Sequence, residues 1–273
     1  MKRAATVGSL RVPDARLHFE VRGQGPLLVL VGAPMDARPF EPLADLLATD
    51  HTVLTTDPRG INRSSVDDPD QDSTPLLRAD DLARLVAQLD AGPAAVFGSS
   101  GGAVSALALV EIRPDLVHTV IAHEPPLADV LDDREQIYAL GEDVLTTHRS
   151  GDVIGAARKF LAMTGLHLPE PVFQRMFAGE RDAQTVADDQ FQHRHMFRPT
   201  LSWRPDFAAL RSAPTRIVVG LGERSAGQLC DRTSRALATE LGLEPTMFPG
   251  GHVGFLDDAD GFAARLREVL PVS

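Results

Sequence analysis

A single cysteine, Cys230, stands in 273 residues, so the chain has neither a disulfide framework nor a thiolate metal cage. Lysine is nearly missing as well. Only Lys2 and Lys159 occur, and arginine supplies the rest of the 27 basic residues. Those 27 face 38 acidic residues, for a net charge of −11. A field of that sign repels nucleic acid and anionic lipid, so neither is expected as a partner. No stretch approaches the roughly 18 consecutive apolar residues that a membrane span requires. The N-terminal segment carries two early cations but no apolar run behind them, which does not read as a secretory signal. A reducing cytosol is the expected location. Internal repeats and low-complexity tracts are also lacking. Against these absences, 43% of residues are hydrophobic and 24% charged, enough for a sizeable core, which excludes disorder, collagen and coiled coil as global descriptions.

Residues 9–23 alternate apolar and polar, the pattern of half-buried antiparallel strands. After Gly25-Pro26 the pattern changes to Leu27-Leu28-Val29-Leu30-Val31, a continuous apolar run suited to a strand covered on both faces. Similar short runs recur at 52–56, 94–97, 117–122 and 217–221. Helical spacing separates them: Leu82, Leu85, Val86 and Leu89 share one face of 79–89, residues 103–112 form a small-residue helix ended by Arg113-Pro114, and Phe262, Leu266 and Leu270 stripe a last helix over 259–270. Such alternation predicts an α/β fold, a mostly parallel, doubly wound sheet with helices on both faces. One segment breaks the rhythm. Between Pro125 and Pro205 no strand pattern appears, only helical patterns at 132–147, 153–162 and 183–196, too long a stretch for a loop. The predicted organisation is a core of residues 1–125 and 206–273 with a helical cap, 126–205, hinged at 125–134 and 204–214.

The stretch Gly98-Ser99-Ser100-Gly101-Gly102 contains G-x-S-x-G centred on Ser100. The five letters alone are weak, but they fall between an apolar strand and a helix, where a sharp turn lifts the serine hydroxyl clear of the sheet. The flanking glycines remove Cβ atoms that would clash there. The helix behind Ser100 aims its amide hydrogens and positive dipole end at developing negative charge.

On these residues the chain resembles the α/β-hydrolase superfamily along nearly all its length. Val31-Gly32-Ala33-Pro34 is similar to the family's H-G-x-P oxyanion loop, with Val31 in place of His. Asp57-Pro58-Arg59-Gly60-Ile61-Asn62-Arg63-Ser64 is similar to its D-x-R-G-x-G-x-S turn, with Asn62 for the second glycine. Residues 214–223 resemble the strand that delivers the catalytic acid, 248–252 the loop that delivers the histidine, and 122–126 the place where the cap begins.

The resemblance implies a relay, since a serine hydroxyl needs an adjacent base. Of nine histidines, His252 follows a β-type segment and two glycines in the order Ser…acid…His. His193 and His195, in the cap, are candidates for substrate contact. The acid has two claimants. The family's register from Pro214 falls on Glu223, 29 residues before His252, and favours it. Glu124 closes the 117–122 run, where some superfamily members carry their acid. Either would fix the imidazole tautomer and stabilise the imidazolium. Backbone N–H groups of Ala33 and Gly101 are the expected oxyanion hole. Neither a metal nor a cofactor is expected.

The resemblance therefore implies a serine hydrolase that attacks the acyl carbonyl of a small-molecule ester or lactone through an acyl-enzyme. A cofactor-free perhydrolase (haloperoxidase) or a C–C bond hydrolase would use the same residues, and a non-catalytic small-molecule-binding protein is a third alternative. Dehalogenases and epoxide hydrolases of this superfamily normally place Asp where Ser100 stands. Substrate identity and oligomeric state are not legible.

Overall fold

The computed structural model describes residues 5–270; Lys2 and the extreme ends of the expected core segments lie outside them. The alternating residues form an antiparallel pair, β1 (Thr6–Val12) and β2 (Ala15–Arg22), which turn at Asp14. The apolar run is β3 (Leu27–Val31), buried along its whole length. Its residues divide between the two faces: Leu27, Val29 and Val31 enter one core and Leu28 and Leu30 the other. Double coverage is what makes such a strand apolar throughout, and each buried Leu or Val contributes about 1.5–3 kcal/mol.

Helix α1 (Glu41–Leu47), β4 (Thr52–Thr56), the short β5 (Ser65–Val66), α2 (Pro75–Leu89), β6 (Ala94–Ser99), α3 (Gly101–Ile112) and β7 (Val117–His123) follow. Then come only helices: α4 (Arg134–Arg149), α5 (Val153–Thr164), α6 (Glu170–Phe173), α7 (Ala183–Phe191), α8 (Phe197–Leu201) and α9 (Phe207–Ser212). The chain re-enters the sheet as β8 (Arg216–Gly222), continues through α10 (Leu229–Leu241) and β9 (Thr246–Phe248), and ends in α11 (Gly254–Asp257) and α12 (Ala259–Val269). The sheet order is β1-β2-β4-β3-β6-β7-β8-β9, with β5 on β2. It is parallel from β4 to β9 and antiparallel at the β1–β2 edge. Residues of α2, α3 and α10 cover one face; Phe40 and Leu43 of the β3–α1 segment, with Phe255, Phe262 and Leu266, cover the other.

Among the described residues no helix is long and apolar enough to cross a membrane. Where one helix was expected over 183–196, α7 gives way to a π-helical turn, Gln192–Met196. The helical insertion is docked on the loops that leave β3 and β4. Asn62 N donates to Asp188 Oδ1 at 2.8 Å, Ser73 N to the His195 carbonyl at 2.9 Å, and Arg78 Nη2 to Thr200 Oγ1 at 2.9 Å. Met196 packs with Ala33 and Ile61. The insertion therefore lies at the carboxyl ends of the strands, where open α/β sheets place their ligand crevices.

Candidate active site

Ser100 stands between β6 and α3 with φ 56° and ψ −125°, a conformation an L-residue rarely adopts. Close packing enforces the turn. A Cβ on Gly98 would lie 2.6 Å from Ala103 Cα, and one on Gly102 would lie 2.2 Å from the Val31 carbonyl oxygen. Ser100 N donates to the His123 carbonyl at 2.9 Å, which pins the elbow to the end of β7. The Ser100 hydroxyl makes no hydrogen bond among the described residues.

The oxyanion loop lies against the elbow, so near that a Cβ on Gly101 would sit 2.4 Å from the Ala33 oxygen. The N–H groups of Ala33 and Gly101 have no hydrogen-bond acceptor among the described residues, and α3 directs its positive end to the same place. Behind the loop, the fully buried Asp57 accepts from Ala37 N at 2.9 Å and from Arg63 Nε at 2.8 Å. Arg59 pairs with Asp81 through two hydrogen bonds, 2.7 and 2.6 Å. The D-x-R-G-like turn thus braces the loop rather than reaching the site.

His252 Nδ1 lies 2.7 Å from Glu124 Oε2. Glu124 is completely buried, and its other oxygen accepts the Gly222 N–H at 2.8 Å. Like Ser100 it holds a positive φ, 54°, at the end of the neighbouring strand. Where the sequence favoured Glu223, the carboxylate that meets His252 is that of Glu124. Glu223 follows the last residue of β8 with an exposed side chain, and no partner reaches its carboxylate among the described residues; its neighbour Arg224 pairs with Asp257 at 3.0 Å. The register from Pro214 located the strand end, but the carboxylate buried beside His252 belongs to the residue that follows β7. No hydrogen bond joins Ser100 to His252 among the described residues; nucleophile–base contacts frequently close only around a substrate.

Burial is the largest single influence on the Glu124 carboxyl and would raise it, but its neighbours, His252 foremost, together outweigh burial and hold the group below its usual value. Burial alone would lower the His252 imidazole; Cys230 and Glu124 outweigh it and hold the ring above its usual value. Cys230 was not a sequence candidate. It sits near the start of α10, buried, with Sγ, a Glu124 oxygen and a His252 ring nitrogen all within 4.8 Å of one another. Nothing in its sequence surroundings signals this contact.

His193 and His195 are engaged inside the insertion and at its seam. His193 Nδ1 and His148 Nε2 lie 3.3 and 2.8 Å from the two oxygens of Asp189, and the two rings stack with centroids 3.9 Å apart and 4° between planes. The in-plane lone pairs of parallel stacked rings run side by side rather than converge, and His193 Nδ1 also lies 2.8 Å from the Asp189 carbonyl oxygen. His195 Nδ1 lies 3.1 Å from Asp72. The aromatic residues of the helical insertion divide: Phe173 is buried, Phe191 lies against Gly60 and the Ala33–Ile61–Met196 cluster, and Trp203 packs on the main core.

A model of the alpha/beta hydrolase family matches residues 27–265. The uncharacterized hydrolase YraK of Bacillus subtilis (strain 168) is 34% identical over 278 residues, covering 96% of this chain and 95% of that protein. The enol-lactonase from Burkholderia xenovorans LB400 superposes with a TM-score of 0.71 at 19% identity, covering 96% of this chain and 98% of that one. A thermophilic esterase from Thermogutta terrifontis, with malate bound, superposes with a TM-score of 0.70 at 20% identity, covering 98% of each chain.

Proposed function

The chain belongs to the alpha/beta hydrolase family, and on that premise we propose that it is a serine hydrolase that cleaves a carboxylic ester or lactone of a small molecule. Ser100 attacks the acyl carbon. His252 takes the hydroxyl proton on the ring nitrogen facing away from Glu124, while Nδ1 remains with the carboxylate at 2.7 Å. Glu124 thereby fixes the tautomer and stabilises the imidazolium. The carbonyl oxygen, now an oxyanion, accepts the N–H groups of Ala33 and Gly101 at the positive end of α3; one such donor is worth about 2.7–4 kcal/mol of barrier. His252 returns the proton to the departing alkoxide, leaving Ser100 acylated. Water then attacks the acyl group with His252 again as base, releasing the acid and the serine.

The strained Ser100 backbone is the observation that carries the reading, because a structural turn has no need to hold a serine at φ 56° when glycine would adopt it freely. The enol-lactonase and the esterase to which the fold is similar motivate the substrate class. The test is turnover of a panel of short-chain aryl esters and lactones by the native protein and by His252→Ala. Turnover that falls by about three orders of magnitude in the folded variant supports the relay; near-native turnover by the variant contradicts it.

A further inference from the structure

Cys230 is the one cysteine of the chain, and its surroundings are not those of a packing residue. A buried thiol that serves as a small apolar filler sits among apolar groups. Here Sγ, a Glu124 oxygen and a His252 ring nitrogen all lie within 4.8 Å of one another. Thiol, carboxylate and imidazole thus converge on one point from α10, from the residue after β7 and from the segment between β9 and α11.

That donor set is one a borderline-soft divalent cation selects. Tetrahedral zinc holds sulfur at about 2.3 Å and nitrogen or oxygen at about 2.0–2.1 Å, which places its ligand atoms roughly 3.3–3.6 Å apart. Side-chain shifts on the order of 1 Å bring the three groups to that spacing. The charges also close. A thiolate and a carboxylate offset a dipositive ion, so no net charge is left where Glu124 is completely buried and Cys230 is 6% exposed. Cys230 stands in the first turn of α10, whose positive end favours the thiolate. The other oxygen of Glu124 is already held by the Gly222 N–H at 2.8 Å, the kind of outer contact that orients a ligating carboxylate. The His252 side chain, 13% exposed, provides the entry.

We propose that Glu124, Cys230 and His252 form a binding site for zinc or another thiophilic divalent cation, with the fourth position left to water. Binding releases the thiol proton, and any proton on the coordinated ring nitrogen, to solvent; no electrons are transferred. The consequence rests on the hydrolase reading: the ion is an inhibitor. Taken on the nitrogen that faces away from Glu124, it occupies the base itself. Taken on Nδ1, it replaces the carboxylate with a positive charge and opposes formation of the imidazolium.

Cadmium is the probe for binding, because its thiolate complexes absorb in the ultraviolet and the chain has a single thiol. The native protein should develop a saturable thiolate-to-cadmium band at one ion per chain, and Cys230→Ser should show none. Glu124→Gln should keep the band but raise its half-saturation at least about tenfold. An unshifted half-saturation would mean binding by the thiol alone and would overturn the proposal, as would a native protein without the band in excess cadmium. Zinc is the probe for the consequence. It should slow aryl ester turnover reversibly, with EDTA restoring the rate, and the half-inhibiting concentration should rise at least about tenfold in Cys230→Ser, each protein judged against its own metal-free rate. Equal inhibition of both would place the ion elsewhere, for instance at His148, Asp189 and His193, and would overturn the inhibitory role. If the native protein turns over no ester, the hydrolase reading fails and the cadmium titration still decides the site. Should the serine variant not fold, cadmium-soaked crystals are read for anomalous scattering: a peak within bonding distance of Sγ, the carboxylate and the ring supports the site, and a peak elsewhere or none contradicts it.

Discussion

Glu124 and Gly222 meet at the ends of adjacent strands: the backbone N–H of Gly222 donates to Glu124 Oε1 at 2.8 Å, and a Cβ on Gly222 would lie 2.9 Å from that same oxygen. The buried carboxylate is thus gripped by a residue that has room for it only as glycine. The opposite oxygen is left to meet His252.

Gly222→Ala is therefore expected to displace the carboxylate, and the Gly250–Gly251 carbonyls that lie as near, without touching substrate. A shift on the order of 1 Å in a positioning group costs roughly a hundredfold in rate. Steady-state kinetics should show kcat reduced by about 10–100-fold with KM changed far less; an unchanged kcat would mean that the grip on Glu124 has no part in turnover.

The two carboxylates should separate sharply. Glu124→Gln keeps the shape but removes the charge that stabilises imidazolium, and the acylation rate should fall by about three to four orders of magnitude. Glu223→Gln, at an exposed position, should stay within about twofold of native. Single-turnover acylation with an aryl ester measures both; the reverse ranking would return the role to Glu223.

The pH profile carries its own signature. His252 must be neutral to accept the Ser100 proton, and its folded pKa is held above the usual 6.5. The rate should therefore climb with pH through an ionisation above that value. Glu124→Gln removes one of the causes, so in its residual activity the limb should move to lower pH. A native limb at or below pH 6.5 would contradict the assignment.

His123 predicts an effect on stability. Its ring is completely buried against Phe97, Phe248 and Phe262, with neither nitrogen hydrogen-bonded among the described residues, and burial depresses its pKa to about 4. The folded state refuses a proton that the unfolded chain accepts below about pH 6.5. Stability from this residue is therefore constant above about 6.5 and falls as pH drops toward 4, by on the order of 3 kcal/mol. Denaturant midpoints should show His123→Leu losing less stability than the native protein over that window; parallel losses would argue against a neutral buried ring.

Much of the scaffold could be read from residue order because double burial leaves a strong trace. β3 is apolar at all five positions since both faces are covered, and G-x-S-x-G is legible since Gly98 and Gly102 fill spaces no side chain fits. The acid was harder. Counting from Pro214 measures distance along the chain, whereas contact with His252 goes to the carboxylate turned inward. Glu223 and Glu124 both end strands, and only the backbone turn at φ 54° brings Glu124 under His252. The Cys230 contact joins residues from separate elements, and sequence spacing carries no record of such a meeting.

The most direct test of the central claim is covalent. A fluorophosphonate probe, followed by proteolysis and peptide mapping by mass spectrometry, reports which serine is activated. The account predicts one adduct per chain, on Ser100, strongly slowed in His252→Ala and absent in Ser100→Ala. Labelling that persists in Ser100→Ala, or a native protein that takes no label while folded, would contradict it.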